Sequence, residues 1–427
     1  MTSMVSAVRS RAVGLVARRF TLSMLPERIL WPLHREGLDP IPRMAEFRAK
    51  RPVTRMPLPF GMRAWLVTGY EPVRQVLGSV DGYSNDFGKF AGRVGISVGQ
   101  DPGGLGFADP PVHTRLRKVL TPEFTMRRLA RLQPRIDAIV AGRLDAMAEA
   151  GGVADLWHDF ALPIPALTIC ELLGVPYADR DHFQKLSTTR FDLAEGGGAA
   201  LGAIGDALSY LGGLITEQRR NPGDGLIGSL IRAHGDEIDD LELAGLADGV
   251  LTGGLETSAS MLALGALVLM THPQMADQLR EGEGVDPIVE ELLRYLTVVQ
   301  VAFPRVAIKD VRVGDADIRA GDVVMCSLSG ANRDDLIGSD PHAIDPSRTP
   351  DRSHLAFGYG LHRCIGAELA RMELRTAYPA LVRRFPQMAP AVPPAELNFR
   401  RASIVFGLES LPVTLGRAAS GVAIPPE

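Results

Sequence analysis

Cys364 stands alone in the run HLAFGYGLHRCIGAELAR (354–371). Gly358, Gly360 and Gly366 surround it, and a strongly helical stretch begins at Ala367. Glycines ahead of the cysteine keep the backbone bare and permit a tight turn. The thiol then falls at or just before a helix N-terminus, where the dipole and free N–H groups favour thiolate; Arg363 adds positive charge. Cys170 and Cys326 are distant in apolar surroundings, and no cysteine or histidine stands at zinc spacing from Cys364. A lone, backbone-cradled thiolate suits one axial position on a metal cofactor whose other ligands come from elsewhere, and haem is the obvious candidate.

A second constellation lies in LELAGLADGVLTGGLETSASMLALGALVLMT (241–271). The pattern predicts a helix of about 31 residues, roughly 46 Å long at ~1.5 Å rise, apolar on nearly every face. Gly253-Gly254 stands just before Glu256-Thr257-Ser258. Paired glycines cost roughly 2 kcal/mol against alanine in a helix interior, and the hydroxyls can draw a carbonyl out of the ladder. Two readings fit: a close helix crossing with satisfied hydroxyls, or a distorted turn beside a cavity with an acid and a hydroxyl facing in.

The elements that must hold these residues are mostly helical. Residues 126–148 carry apolar side chains at three- and four-residue spacing, 162–174 read as a buried helix, and 193–213 as a Gly/Ala-rich helix with a weak start. Asn221-Pro222-Gly223-Asp224-Gly225 marks a loop, and His272-Pro273 closes the long helix. Short strands are expected at 64–68, in a small antiparallel sheet over 305–327, and in a hairpin near 398–413. The expected fold is mainly α with small antiparallel sheets, a single domain over 33–427 following a basic arm over 1–32.

Composition narrows the function classes. The chain has 427 residues, 46% apolar and 22% charged, so it is globular. Fifty acidic against 46 basic side chains give a net charge of −4, which argues against a general nucleic-acid binder. Three cysteines exclude a disulfide framework and fit a reducing compartment, here the cytoplasm. Glu242, Asp248 and Glu256 interrupt the long apolar helix, arguing against a transmembrane span. The arm carries Arg9, Arg11, Arg18, Arg19 and Arg28 among apolar residues; it suits either packing on its own domain or peripheral contact with a membrane surface.

The segment Phe357-Gly358-Tyr359-Gly360-Leu361-His362-Arg363-Cys364-Ile365-Gly366 resembles the haem-binding signature of the cytochrome P450 family in its soluble bacterial form. Other motifs follow in the right order. Gly254-Leu255-Glu256-Thr257 is similar to the family's oxygen-activation motif, and Glu291-Leu292-Leu293-Arg294 to its Glu-x-x-Arg pair, with Arg348 in the place of the third partner. DPPVHTRLR (109–117) resembles the segment that supplies a His and an Arg to the haem propionates, and Ala331-Asn332-Arg333-Asp334 fits the turn before the signature.

The resemblance implies haem b with Cys364 as the iron ligand and His113, Arg117, Arg305 and His362 on the propionates. Phe357 would pack near the sulfur; Glu291, Arg294 and Arg348 would form a buried ion network. Without the resemblance, Glu291/Arg294 would read as a helix-surface pair, Glu290 as a solvated neighbour, Arg117 as a surface residue and Cys170 as a core cysteine. The implied activity is monooxygenation, hydroxylation or epoxidation of a hydrophobic small molecule with O2 and two electrons. Thr257 would hold the distal hydrogen-bond network and Glu256 connect it to solvent.

No flavin or nicotinamide domain is expected, so NAD(P)H would act only through a ferredoxin and its reductase. Arg363 and Arg371 are candidates to meet an acidic partner, Arg371 fitting a structural role equally well. Phe87, Phe90, Phe191, Leu251, Gly254, Val298, Val299 and Phe303 are the candidate pocket lining, with Gly196-Gly197-Gly198 as a mobile lid. The alternatives are a haem-thiolate enzyme that uses peroxide or performs oxidative coupling or cyclisation, and a non-catalytic haem-binding sensor or carrier.

Overall fold

The computed structural model describes residues 27–57, 63–86, 105–180, 182, 197–349, 352–400 and 403–419. Most of the expected arm, Phe87, Phe90, Phe191 and Gly196 lie outside the described residues. The helices that matter for the site are α1 (Val112–Leu120), α2 (Gln133–Ala150), α3 (Pro163–Leu173), α4 (Gly197–Arg220), α5 (Asp240–Thr271), α6 (Val285–Leu296) and α7 (Ala367–Arg384). The single helix expected over 126–148 is divided. A short turn at Met126–Leu129 and a 3-10 segment at Ala130–Leu132 precede α2, because Pro134 in its first turn has no N–H to continue the ladder.

Helix α5 forms the centre of the molecule. Asp239 caps it by accepting the Glu242 N–H at 2.8 Å, and His272-Pro273 follows its last residue. It passes the length and hydropathy test for a membrane span, but 72% of its apolar window is buried inside the protein. The helix is continuous through Gly253-Gly254, as the expected single helix over 241–271 requires. The glycine that shapes its packing lies further on. Tyr378 of α7 donates its hydroxyl to the Met261 carbonyl at 2.5 Å, and a Cβ at Gly265 would overlap that hydroxyl.

The main sheet consists of β1 (Val53–Pro57), β2 (Arg63–Val67), β3 (Tyr83–Ser84), β4 (Arg305–Ala307) and β5 (Val323–Cys326), in spatial order β1-β2-β5-β4-β3. Its pairs are antiparallel except β2 with β5, where Val323 lies opposite Ala64. The group expected over 305–327 therefore splits: its outer strands join this sheet, while Val311–Val313 and Ala316–Ile318 pair only with each other. The C-terminal hairpin closes through Phe399 opposite Leu408 and touches 298–301 through Val299 opposite Val405.

Candidate cofactor cleft and active site

The cysteine loop is shaped by close approach. Gly360 has φ +74°, and a Cβ there would collide with the Leu77 carbonyl, so only glycine lets the loop lie against helix Tyr70–Gly78. The Cys364 N–H donates to the Phe357 carbonyl at 2.9 Å, closing the loop just ahead of α7. Cys364 is open to solvent on one side. The protein packed behind it is dense enough that burial raises its thiol pKa, opposed by the Gly366 N–H, Arg117, Arg363 and Arg371. A soft, cation-flanked sulfur held this way has the chemistry of a metal ligand.

Beside it converge the four side chains expected on the propionates. Helix α1 supplies His113 and Arg117, β4 begins with Arg305, and the loop supplies His362. The His113 and His362 rings lie 4.1 Å apart. Both ring nitrogens of His113 and Nε of Arg305 are buried without a hydrogen-bond partner among the described residues. Burial lowers the pKa of all four: His362 falls to about 3, helped by His113 and Arg305, while Asp109 opposes. Buried donors repelling one another without partners are costly unless an anion joins them. Two carboxylates borne on a flat cofactor fit that demand.

Among the described residues, no three His, Cys, Asp or Glu side chains are grouped to hold a metal ion. A metal at Cys364 would thus bring its remaining donors on the cofactor, and the residues present fit haem.

On α5, the Thr257 hydroxyl donates to the Gly253 carbonyl at 2.6 Å. That bond satisfies the hydroxyl within an unbroken helix. Gly253 is exposed, and a Cβ there would meet nothing within 4 Å. Gly254 faces Ile169 of α3, 3.0 Å from where its Cβ would be.

Glu256 is paired with Arg400 of the C-terminal hairpin, whose guanidinium lies 4.6 Å over the Trp157 ring. Burial outweighs that cation and pushes the Glu256 pKa up to about 7.

The remaining pocket candidates separate by pleat. Leu251 is wholly buried, and Val298 is buried with its carbonyl accepting the Phe406 N–H at 2.7 Å. Val299 is half-buried, and Phe303 is 51% exposed, with its ring 4.8 Å from Phe107.

The ion network behind the loop is buried. Arg294 reaches both Glu291 oxygens at 2.7 Å and donates to the Asn332, Pro341 and Ala343 carbonyls. Arg348 lies 3.6 Å from Glu291. Glu290 keeps part of its side chain exposed but is ion-paired, and Arg371 is largely buried in the structural role. Arg371 holds Glu290 with two bonds at 2.5 and 2.9 Å, and His354 adds a third contact at 3.1 Å. Nothing in the spacing signalled this pair, because its members lie on α6 and α7.

A mainly helical fold that presents one glycine-cradled cysteine beside an anion-hungry cluster defines a haem-thiolate protein. Comparison agrees: the chain belongs to the cytochrome P450 family, whose family model matches residues 285–409. It is 41% identical over 390 residues to cytochrome P450 FAS1 of Rhodococcoides fascians, covering 90% of this chain and 97% of that one. It is 39% identical to mycinamicin IV hydroxylase/epoxidase of Micromonospora griseorubida, over 88% and 96% of the two chains.

Among solved structures it is similar to OxyC, a cytochrome P450 implicated in an oxidative C–C coupling reaction during vancomycin biosynthesis. That match has TM-score 0.81 and 38% identity, covering 91% of this chain and 97% of that one. The chain is therefore an enzyme of the cytochrome P450 monooxygenase type that oxidises a small organic substrate with O2.

Proposed function

We propose that this enzyme carries out oxidative coupling or ring closure on an organic substrate, with haem b bound through Cys364. The observation that carries this reading is the likeness to OxyC along nearly the whole of both chains. The bound haem would supply one-electron chemistry and O2 reduction. In the balance, the substrate loses two protons and two electrons, a ferredoxin delivers two more electrons, solvent supplies two more protons, and O2 leaves as two waters.

The chain's own residues have separate tasks. Cys364 holds the iron; His113, Arg117, Arg305 and His362 bind the propionates through charge-assisted hydrogen bonds. Thr257 holds a proton donor in place near the Gly253 carbonyl, and Glu256 passes protons when released from Arg400. Val299 and Phe303 face the substrate and exclude water. The ferredoxin and its NAD(P)H-fed reductase, and a cytoplasmic location, belong to the same reading, as does a single catalytic domain over 33–427.

Hydroxylation or epoxidation is the second reading, supported by the likeness to the mycinamicin enzyme. Mass spectrometry of the product decides between them once a substrate that shifts the iron spin state is found. Loss of two hydrogens supports coupling or ring closure; gain of one oxygen overturns it in favour of insertion. A carbon monoxide difference spectrum of the reduced protein comes first. A strongly red-shifted Soret band establishes the thiolate-ligated haem on which both readings stand.

A further inference from the structure

The cysteine loop has an electrostatic support that its motif does not contain. Arg371 sits one helical turn into α7, only 11% exposed at its side chain. Its guanidinium lies 4.7 Å from the centre of the Phe357 ring, and Phe357 is the residue whose carbonyl accepts the Cys364 N–H. A cation over an aromatic face is attracted by the ring quadrupole and gains when water is excluded.

Arg371 is not a free charge. Its Nε and Nη2 donate to the two Glu290 oxygens at 2.5 and 2.9 Å, and Nη1 donates to Glu368 at 2.9 Å. His354 completes the cluster. Its Nδ1 accepts the Ala356 N–H at 3.2 Å, which leaves Nε2–H to donate to Glu290 at 3.1 Å. Burial works to raise the Glu290 pKa, but the bonds from Arg371 and His354 hold it down to about 2. Glu290 is thus a fixed anion, and the planar guanidinium is clamped by its edge while its face covers Phe357.

We infer that Arg371 is a positioning residue for the thiolate ligand: it presses Phe357 against the cysteine loop and biases the iron–sulfur unit toward its reduced form, while Glu290 limits that bias. This rests on the haem-thiolate reading of Cys364. Reduction adds one electron, and hence negative charge, beside the sulfur. A nearby cation favours that state and a nearby anion opposes it, so the two partners act with opposite signs although they form one ion pair.

The test is the reduction potential of the haem-loaded enzyme and of Arg371→Met, Arg371→Lys and Glu290→Gln, taken with carbon monoxide difference spectra. Arg371→Met should lower the potential and Glu290→Gln should raise it. Each shift should be about threefold to tenfold in the one-electron equilibrium constant, the upper end being about 59 mV. Arg371→Lys, which keeps the charge but loses the flat stacking face, should stay near the wild-type potential while losing the red-shifted band faster on warming.

A support that is only structural would weaken the band in every variant and leave the potentials together. Equal potentials, or shifts of one sign for both partners, overturn the inference. If Arg371→Met takes up no haem, Glu290→Gln and Arg371→Lys decide alone: a raised potential in the first with an unchanged one in the second supports it, and any other pairing overturns it. Absence of the red-shifted band in the wild-type enzyme overturns the haem-thiolate reading instead, so the two failures are distinguishable.

Discussion

The imidazole of His362 lies 4.1 Å from that of His113, two rings brought together from the cysteine loop and from α1. Arg117 and Arg305 bear on the same spot, and every one of these groups is pushed away from its charged form by burial. Such a cluster is unfavourable alone and favourable around an anion.

His113→Phe should keep the ring volume and remove the donor. A hydrogen bond to a charged group is worth about 1.5–3 kcal/mol, so haem should dissociate roughly 10- to 100-fold more readily. Transfer of haem to apomyoglobin measures this directly. Unchanged retention would remove His113 from the propionate set.

Glu256 gives the pH dependence a sign. Its pKa rises from an ordinary value of 4.5 to about 7 in the fold, so the folded state binds more protons than the unfolded one between those values. Its contribution is fully present below pH 4.5 and is lost as pH rises to about 7, by an amount of order 3 kcal/mol. Glu373, buried and also raised to about 7, adds in the same direction. Glu256→Gln should flatten part of the fall in melting temperature across that range. If Glu256 passes protons, the same substitution should also remove the loss of turnover on the alkaline side of about pH 7.

Thr257→Ala should divert electrons from product to peroxide, because the hydroxyl that now donates to the Gly253 carbonyl is lost from the helix face beside Glu256. Product and peroxide per NAD(P)H consumed are the measurements. An unchanged product yield would deny Thr257 its role.

Glu291→Gln leaves Arg294 buried beside a neutral partner. Breaking one side of a buried pair costs about 3–5 kcal/mol, so a large drop in melting temperature is expected. Glu283→Gln, on an exposed residue just before α6, serves as the control and should change little.

Gly265→Ala inserts a methyl where the Tyr378 hydroxyl lies. Overpacking of this kind costs about 1–3 kcal/mol. Adding Tyr378→Phe should recover part of the loss by clearing the hydroxyl, a coupling that a double-mutant cycle reads from denaturation midpoints.

Local patterning alone makes legible the helical fold class, the long central helix, the glycine-flanked cysteine and the members of the cationic cluster. These are legible because local spacing carries them: glycines beside a cysteine, apolar residues at helical period, an acid and an alcohol following a glycine pair. Boundaries shifted where one residue overrode the pattern, as Pro134 did at the start of α2.

Only the tertiary structure decided what each charge faces. Glu290 and Arg371 stand on different helices, and Glu256 meets Arg400 from the far end of the chain. Gly253 rather than Gly254 opens outward because α3 happens to cross at Ile169. Pairings between distant segments depend on how whole elements pack, and no local spacing encodes that.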